Sequence, residues 1–125
     1  MSSYLVVFIG GGVGAACRHG VNRAAVAYIG LDFPVGTLLV NVLGGLLMGM
    51  CAEWLLAEAA FDEQLKLFLT TGVLGGFTTF SAFTLEAGLM WQRGDYATAA
   101  AYGLASVILS VVAVYVGMAA TRAMT

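Results

Sequence analysis

Charge is scarce in this chain. Of 125 residues, seven are acidic and five basic, giving a net charge of −2. A soluble domain carries about 25% charged residues, so a water-facing surface cannot be built from this set. So few basic groups leave no cationic footprint for nucleic acid. There is one histidine, His19, and there are two cysteines, Cys17 and Cys51. No Ser–His–Asp set and no cluster of metal-ligating side chains can be assembled from them, which argues against catalysis. Both cysteines sit in apolar stretches and read as small buried hydrophobes. What the chain has in quantity is apolar residues, at 61%, and glycine, at 17 positions. Disorder is incompatible with that hydropathy.

The charge-free runs mark membrane spans. Met1–Cys17 carries no charge, Phe33–Ala52 gives 20 such residues, Leu67–Leu85 gives 19 and Tyr96–Thr121 gives 26. About 20 mostly apolar residues cross a bilayer as a helix. The expected fold is therefore an all-α membrane protein, a single domain over residues 1–125. Its four transmembrane helices are placed near 4–28, 34–57, 63–92 and 96–121. Arg18, His19 and Arg23 fall in the second half of the first span, where snorkelling would be needed to carry them to the interface. The N-terminus has no basic n-region, so Met1 to about Tyr28 reads as mature protein. Pro34 is expected as the first residue of the second helix, where its missing N–H costs nothing. Glu58 to Gln64 links the second and third helices, and Arg93-Gly94-Asp95 turns tightly into the fourth.

If helix ends alternate sides, Lys66 and Arg122 lie on one side. Arg23 and Arg93 lie on the other, joined by Arg18 if it reaches that interface. Orientation normally follows a Lys/Arg excess in cytoplasmic loops, and here the excess is almost absent. Two readings stay open: insertion both ways, with an antiparallel homodimer, or one orientation held by other signals.

Polar groups inside the spans are few and unusually placed. Asn41 lies mid-span, with Thr37 one turn earlier on the same face. An amide at that depth needs a partner or a wet path. Gly72-Val73-Leu74-Gly75-Gly76-Phe77-Thr78-Thr79-Phe80-Ser81-Ala82-Phe83 combines helix breakers, β-branched hydroxyls and three phenylalanines, a poor helix centre. A break is expected here, against the alternative of a kinked continuous helix. A break frees carbonyls for a cation and aims a half-helix N-terminus at an anion. Phe80 and Phe83, at i, i+3, share a face. Their positive ring edges can meet a small anion, although plain packing is the commoner use of phenylalanine. Tyr102, Ser106 and Ser110, at i, i+4, i+8, form one hydroxyl stripe on the fourth helix. Such hydroxyls either bond back to their own helix or supply donors along a polar track. Most of the glycines read as close-packing positions, Gly45 and Gly49 among them. The run Gly10-Gly11-Gly12-Val13-Gly14 lacks the preceding strand and later acid of a dinucleotide fingerprint. Glu86 either ends its run as a surface group or pairs with Arg18.

Three segments together resemble a known family, the small bacterial fluoride channels called CrcB or Fluc. They are Gly11-Gly12-Val13-Gly14-Ala15-Ala16-Cys17-Arg18, then Pro34-Val35-Gly36-Thr37-Leu38-Leu39-Val40-Asn41, then Gly75-Gly76-Phe77-Thr78-Thr79-Phe80-Ser81-Ala82-Phe83. Their order, the length and the four-span plan match as well. The resemblance implies a dual-topology antiparallel homodimer in the bacterial inner membrane, surrounded by lipid. It implies two pores that passively export fluoride and relieve its toxicity. By position, Phe80 and Phe83 are the pore-lining rings and Asn41 the amide facing the ion path. Thr37, Tyr102, Ser106 and Ser110 form the polar track, and Ser81 joins the pore set. Arg18 lies near the aqueous vestibule. The carbonyls of Gly75 and Thr78, from both subunits, hold a structural sodium ion. Ala82 departs from the hydroxyl residue usual there and His19 from the usual aromatic. The first departure implies one polar contact fewer beside the rings.

Two other classes compete. A proton-coupled antiporter needs a titratable carboxylate within a span. The first helix has none, and Glu53 and Glu86 lie toward the ends of their runs. A non-transporting membrane subunit leaves Asn41, the broken helix and the hydroxyl stripe without a purpose.

Overall fold

The computed structural model describes residues 1–55 and 61–125. Among them are no strands; the backbone is helical almost throughout. Helix α1 spans Ser3–Tyr28, α2 Val35–Trp54, α3 Glu63–Leu67, α4 Gly75–Phe77, α5 Phe80–Gln92 and α6 Tyr96–Met124. Between α3 and α4, Phe68–Leu74 forms a π-helix. Four stretches are long and apolar enough to cross a membrane: Ser3–Tyr28, Val35–Trp54, Glu63–Gln92 and Tyr96–Met124.

Local chemistry explains most of the boundaries. The Ser2 hydroxyl accepts from the Leu5 N–H at 3.3 Å and caps α1. Asp62 caps α3 by accepting from the Gln64 N–H at 3.2 Å. Gly30 (φ +117°) and Gly94 (φ +85°) occupy the left-handed conformation that the turns after α1 and α5 require. Pro34 is not the first helical residue. It sits at φ −78°, ψ 65°, with the Val35 N–H donating to the Phe33 carbonyl at 2.8 Å. That geometry is an inverse γ-turn, so Pro34 stands just before α2 and its carbonyl accepts from Leu38. Positions 56 and 57 of the expected second helix, and the start of the expected link at Glu58, lie outside the described residues. The last helix continues three residues beyond the expected end, to Met124. There Arg122 pairs with Glu53 of α2, Nε to Oε1 at 3.0 Å.

Glycines set the packing. A Cβ at Gly45 or Gly49 would stand 2.8 Å from the Ser110 carbonyl or 2.1 Å from the Val114 carbonyl of α6. From the other side, a Cβ at Gly117 would stand 2.2 Å from the Leu46 carbonyl. α2 and α6 therefore touch backbone to backbone, the small-residue contact of membrane helices. α1 does the same against the third span. A Cβ at Gly14 would lie 2.0 Å from the Val73 carbonyl, and one at Gly76 would lie 2.3 Å from the Gly11 carbonyl. The π-helical turns fall in this contact. Nothing in the sequence flags them.

The interior is small. Tyr102, Leu55 and Val40 are the largest fully buried side chains, and Tyr102 packs with Met90, Phe33, Leu38 and Phe83. Large apolar side chains from every span point outward, as a surface meeting hydrocarbon requires. Cys17 belongs to that outer surface and is exposed, while Cys51 is half-buried. The expectation that both are buried thus fails for Cys17. It lies on the face of α1 that no other described residue of the chain covers.

Candidate ion path

The third span loses its helical backbone at Thr78 and Thr79. Thr78 adopts φ −87°, ψ 158° and Thr79 φ −150°, ψ 120°, both extended, before α5 restarts at Phe80. Two extended residues inside an apolar span leave peptide groups that neighbours must satisfy. Asn41 of α2 does so in both directions. Its Oδ1 accepts from the Thr79 N–H at 2.8 Å, and its Nδ2 donates to the Thr79 carbonyl at 3.0 Å. The Thr79 side chain caps α5, its Oγ1 accepting from the Ala82 N–H at 3.1 Å. On the other flank, Arg18 Nε donates to the Gly76 carbonyl at 3.1 Å. Thr78 bonds back within its own helix, hydroxyl to Leu74 carbonyl, at 3.0 Å.

These bonds reroute donors. In a continuous α-helix the Thr79 N–H would serve the Gly75 carbonyl, and the Ala82 N–H the Thr78 carbonyl. Here the first goes to Asn41 and the second to the Thr79 hydroxyl. The Gly75 and Thr78 oxygens are deprived of their helical donors. Both are neutral, hard acceptors.

Beside the interruption lies an open groove of about 370 Å³. Asn41, Thr78, Thr79, Phe80, Phe83, Ser106 and Ser110 line it, with Val107 and Val111. The Phe80 and Phe83 ring centroids are 5.6 Å apart. Phe80 is exposed and Phe83 partly buried. Ser106 is buried, and its Oγ has no hydrogen-bond partner among the described residues. An unpartnered buried hydroxyl is a costly feature unless something completes it. The groove's lining contains amide, hydroxyl and ring-edge donors but no charged side chain.

Thr37 and Tyr102 are placed elsewhere. The Thr37 hydroxyl donates to Glu86 Oε2 at 3.0 Å and the Tyr102 hydroxyl to Glu86 Oε1 at 2.9 Å. Glu86 is thus neither a surface group nor a partner of Arg18. Its carboxylate joins α2, α5 and α6. A second cleft of about 270 Å³ opens beside it, lined among others by Asn22, Asp32, Thr37 and Arg93. The two regions meet through Phe83, whose ring centroid is 5.1 Å from that of Tyr102. Ser81 is exposed, its hydroxyl 3.2 Å from that of Thr79. Of the expected site residues, the groove collects Asn41, Phe80, Phe83, Ser106, Ser110 and Thr78. Arg18 acts on the far side of the interruption, and Gly75 is exposed there.

Sequence reasoning missed Thr79 and the anchoring role of Glu86. Thr79 carries a legible signal, a capping residue one position before an apolar helix. Glu86 does not, because the hydroxyls that hold it come from residues 49 and 16 positions away.

Four apolar spans, with uncharged polar groups gathered at an interrupted helix, define a multi-pass membrane protein built around a neutral polar groove. Residues 5–118 match the family described as CrcB-like protein, Camphor Resistance (CrcB), and the chain belongs to that family. Curated relatives match over nearly the whole length. One from Nitrobacter hamburgensis, named Fluoride-specific ion channel FluC 2, is 46% identical over 123 residues, 98% of this chain and 99% of that protein. The Fluoride-specific ion channel FluC of Methylobacterium nodulans is 48% identical over 122 residues, 98% of each. That of Mesorhizobium japonicum is 40% identical over 124 residues, 99% of each. These relatives are named as ion channels rather than enzymes.

Proposed function

We propose that this protein is a passive fluoride channel of the bacterial inner membrane, with Asn41, Ser106, Ser110, Phe80 and Phe83 lining the ion path. The observation that carries this reading is the groove, where a buried, unpartnered Ser106 hydroxyl meets an amide and two aromatic rings without any fixed charge. Fluoride is small and strongly hydrated. A pore must replace its water with donors, yet bind it loosely enough to release it. Neutral hydroxyl, amide and ring-edge donors meet both demands. The names of the full-length relatives point to the same ion.

The groove is open on one side, and Phe80 is 74% exposed. A second, antiparallel copy would close it and give two pores per dimer. The Thr37–Glu86–Tyr102 set lies toward the end of the path, and Arg18 toward a vestibule. The Gly75 and Thr78 carbonyls, deprived of their helical donors, suit a sodium ion, because unwound backbone carbonyls are the usual ligands for it in membranes. A pair of copies would supply four such oxygens. The ion would contribute a fixed positive charge near passing anions.

The test is fluoride efflux from liposomes holding the purified protein, with a potassium ionophore present and chloride as the control. Fast fluoride loss without chloride loss is expected, and Phe80→Ile or Phe83→Ile should slow it while the protein stays folded. Efflux only under a proton gradient would favour an antiporter. No efflux from folded protein would favour a non-transporting subunit. Normal flux in both phenylalanine variants would remove the rings from the path.

A further inference from the structure

At the end of the molecule where α2 and α6 finish, a crevice of about 280 Å³ is lined by Met50, Trp54, Thr121, Met124 and Thr125. It is remote from the polar groove in the chain's layout, sharing no lining residue with it. Its walls are almost wholly apolar, and two of them are methionines, whose flexible thioethers adapt to irregular chains. Trp54 is half-exposed at its rim, in the manner of interfacial tryptophans. Two features point to an amphiphilic occupant. Thr121 is 5% exposed, and its Oγ1 has no hydrogen-bond partner among the described residues. Thr121 lines the crevice, so rotation about χ1 can turn its unpartnered hydroxyl toward an occupant. Next to the crevice in sequence stand Glu53 and Arg122, paired at 3.0 and 3.1 Å, which present both signs of charge at the same helix ends.

We propose that this crevice binds a glycerophospholipid with a primary-amine headgroup. One acyl chain lies between Met50, Trp54 and Met124, an ester oxygen accepts from the Thr121 hydroxyl, and the headgroup meets the ion pair. Its phosphate faces the guanidinium edge of Arg122 that Glu53 does not use, and its ammonium donates to the Glu53 carboxylate. A zwitterion complements a pair of opposite charges, whereas an anionic headgroup would meet Glu53 with like charge. A trimethylammonium headgroup has no N–H to donate. The site is independent of the fluoride reading.

The experiment is native mass spectrometry of the protein taken from vesicles containing equal parts phosphatidylethanolamine, phosphatidylcholine and phosphatidylglycerol. Phosphatidylethanolamine should be retained about tenfold over phosphatidylcholine, the ratio one charge-assisted hydrogen bond supplies. Glu53→Gln frees Arg122 and should switch the preference to phosphatidylglycerol. Thr121→Val should lower retention of every class. Both variants should still conduct fluoride if the protein is a channel, which separates failure of this proposal from failure of that one. Equal retention of the three lipids, no retention, or an unchanged preference in Glu53→Gln would overturn it. So would full retention in Thr121→Val, which would mean that the hydroxyl bonds back to its own helix.

Discussion

Asn41 shows how much one side chain carries in an apolar environment. Its amide accepts from and donates to the same residue, Thr79, at 2.8 and 3.0 Å. Removal of the amide leaves a backbone N–H and a carbonyl of the extended pair without this partner. Each unsatisfied buried group costs about 1–3 kcal/mol. Asn41→Leu should therefore lower the thermal unfolding midpoint of the purified protein markedly, and should also abolish fluoride efflux. Asn41→Asp keeps an acceptor for the Thr79 N–H, but when ionised it sets a carboxylate oxygen against the Thr79 carbonyl, so it should not restore wild-type stability. If Asn41→Leu unfolded at the wild-type temperature, the amide would not be what holds the extended pair. Thr79 works in parallel, since its hydroxyl starts α5 by accepting from Ala82.

Among the elements, α1 and the third span meet backbone to backbone. Gly10 and Gly14 let the α1 backbone approach the π-helical turns over Phe68–Leu74. The third span must be held there for Arg18 to reach the Gly76 carbonyl and for Asn41 to reach Thr79. A valine at Gly14 would thrust Cβ to 2.0 Å from the Val73 carbonyl, which is backbone and cannot rotate away. Overpacking of this kind costs typically about 1–3 kcal/mol and displaces helices. At Gly12, two residues earlier, a Cβ would meet nothing within 4 Å. Gly14→Val should yield little monodisperse protein in size-exclusion chromatography, whereas Gly12→Ala should behave as wild type. Equal behaviour of the two variants would show that the approach at Gly14 is not essential. The same logic applies to Gly49 against Val114 on the opposite side of the bundle.

For the whole molecule, the balance of charge matters more than any one residue. At the end where α1 begins and α6 finishes, Lys66 bonds Glu63 and Arg122 bonds Glu53. At the other end Arg93 lies 3.4 Å from Asp95. With Lys and Arg near parity at the two ends, the charge count gives little bias toward either orientation, as the proposed antiparallel dimer requires. Dual insertion follows from the proposed function. With Cys17 and Cys51 replaced by serine and Thr125 by cysteine, an impermeant maleimide applied to intact cells should label about half of the protein, because a balanced chain partitions evenly. Labelling of all or none would mean a single orientation and would leave the antiparallel dimer without support.

The sequence by itself determined that the chain crosses a membrane four times, and nearly where. Charged residues are excluded from hydrocarbon by solvation energy, so charge-free runs mark spans directly, and hydrogen bonding within each segment makes those spans helical. The tight turn at Arg93-Gly94-Asp95 was legible for the same local reason, its glycine marking the change of direction. Asn41, Phe80, Phe83, Ser106 and Ser110 stood out because polar or aromatic groups in a uniform apolar run have no other cover. Tertiary structure decided which of them meet. It sent Thr37 and Tyr102 to Glu86 rather than to the groove, gave Asn41 to Thr79, and set Pro34 in a turn before its helix. It also placed Cys17 on the outside and produced the π-helical turns. Those outcomes depend on how helices far apart in sequence cross, which the glycine contacts fix through backbone approach. A hydrogen bond between residues 38 or 49 positions apart leaves no trace in the local pattern of either.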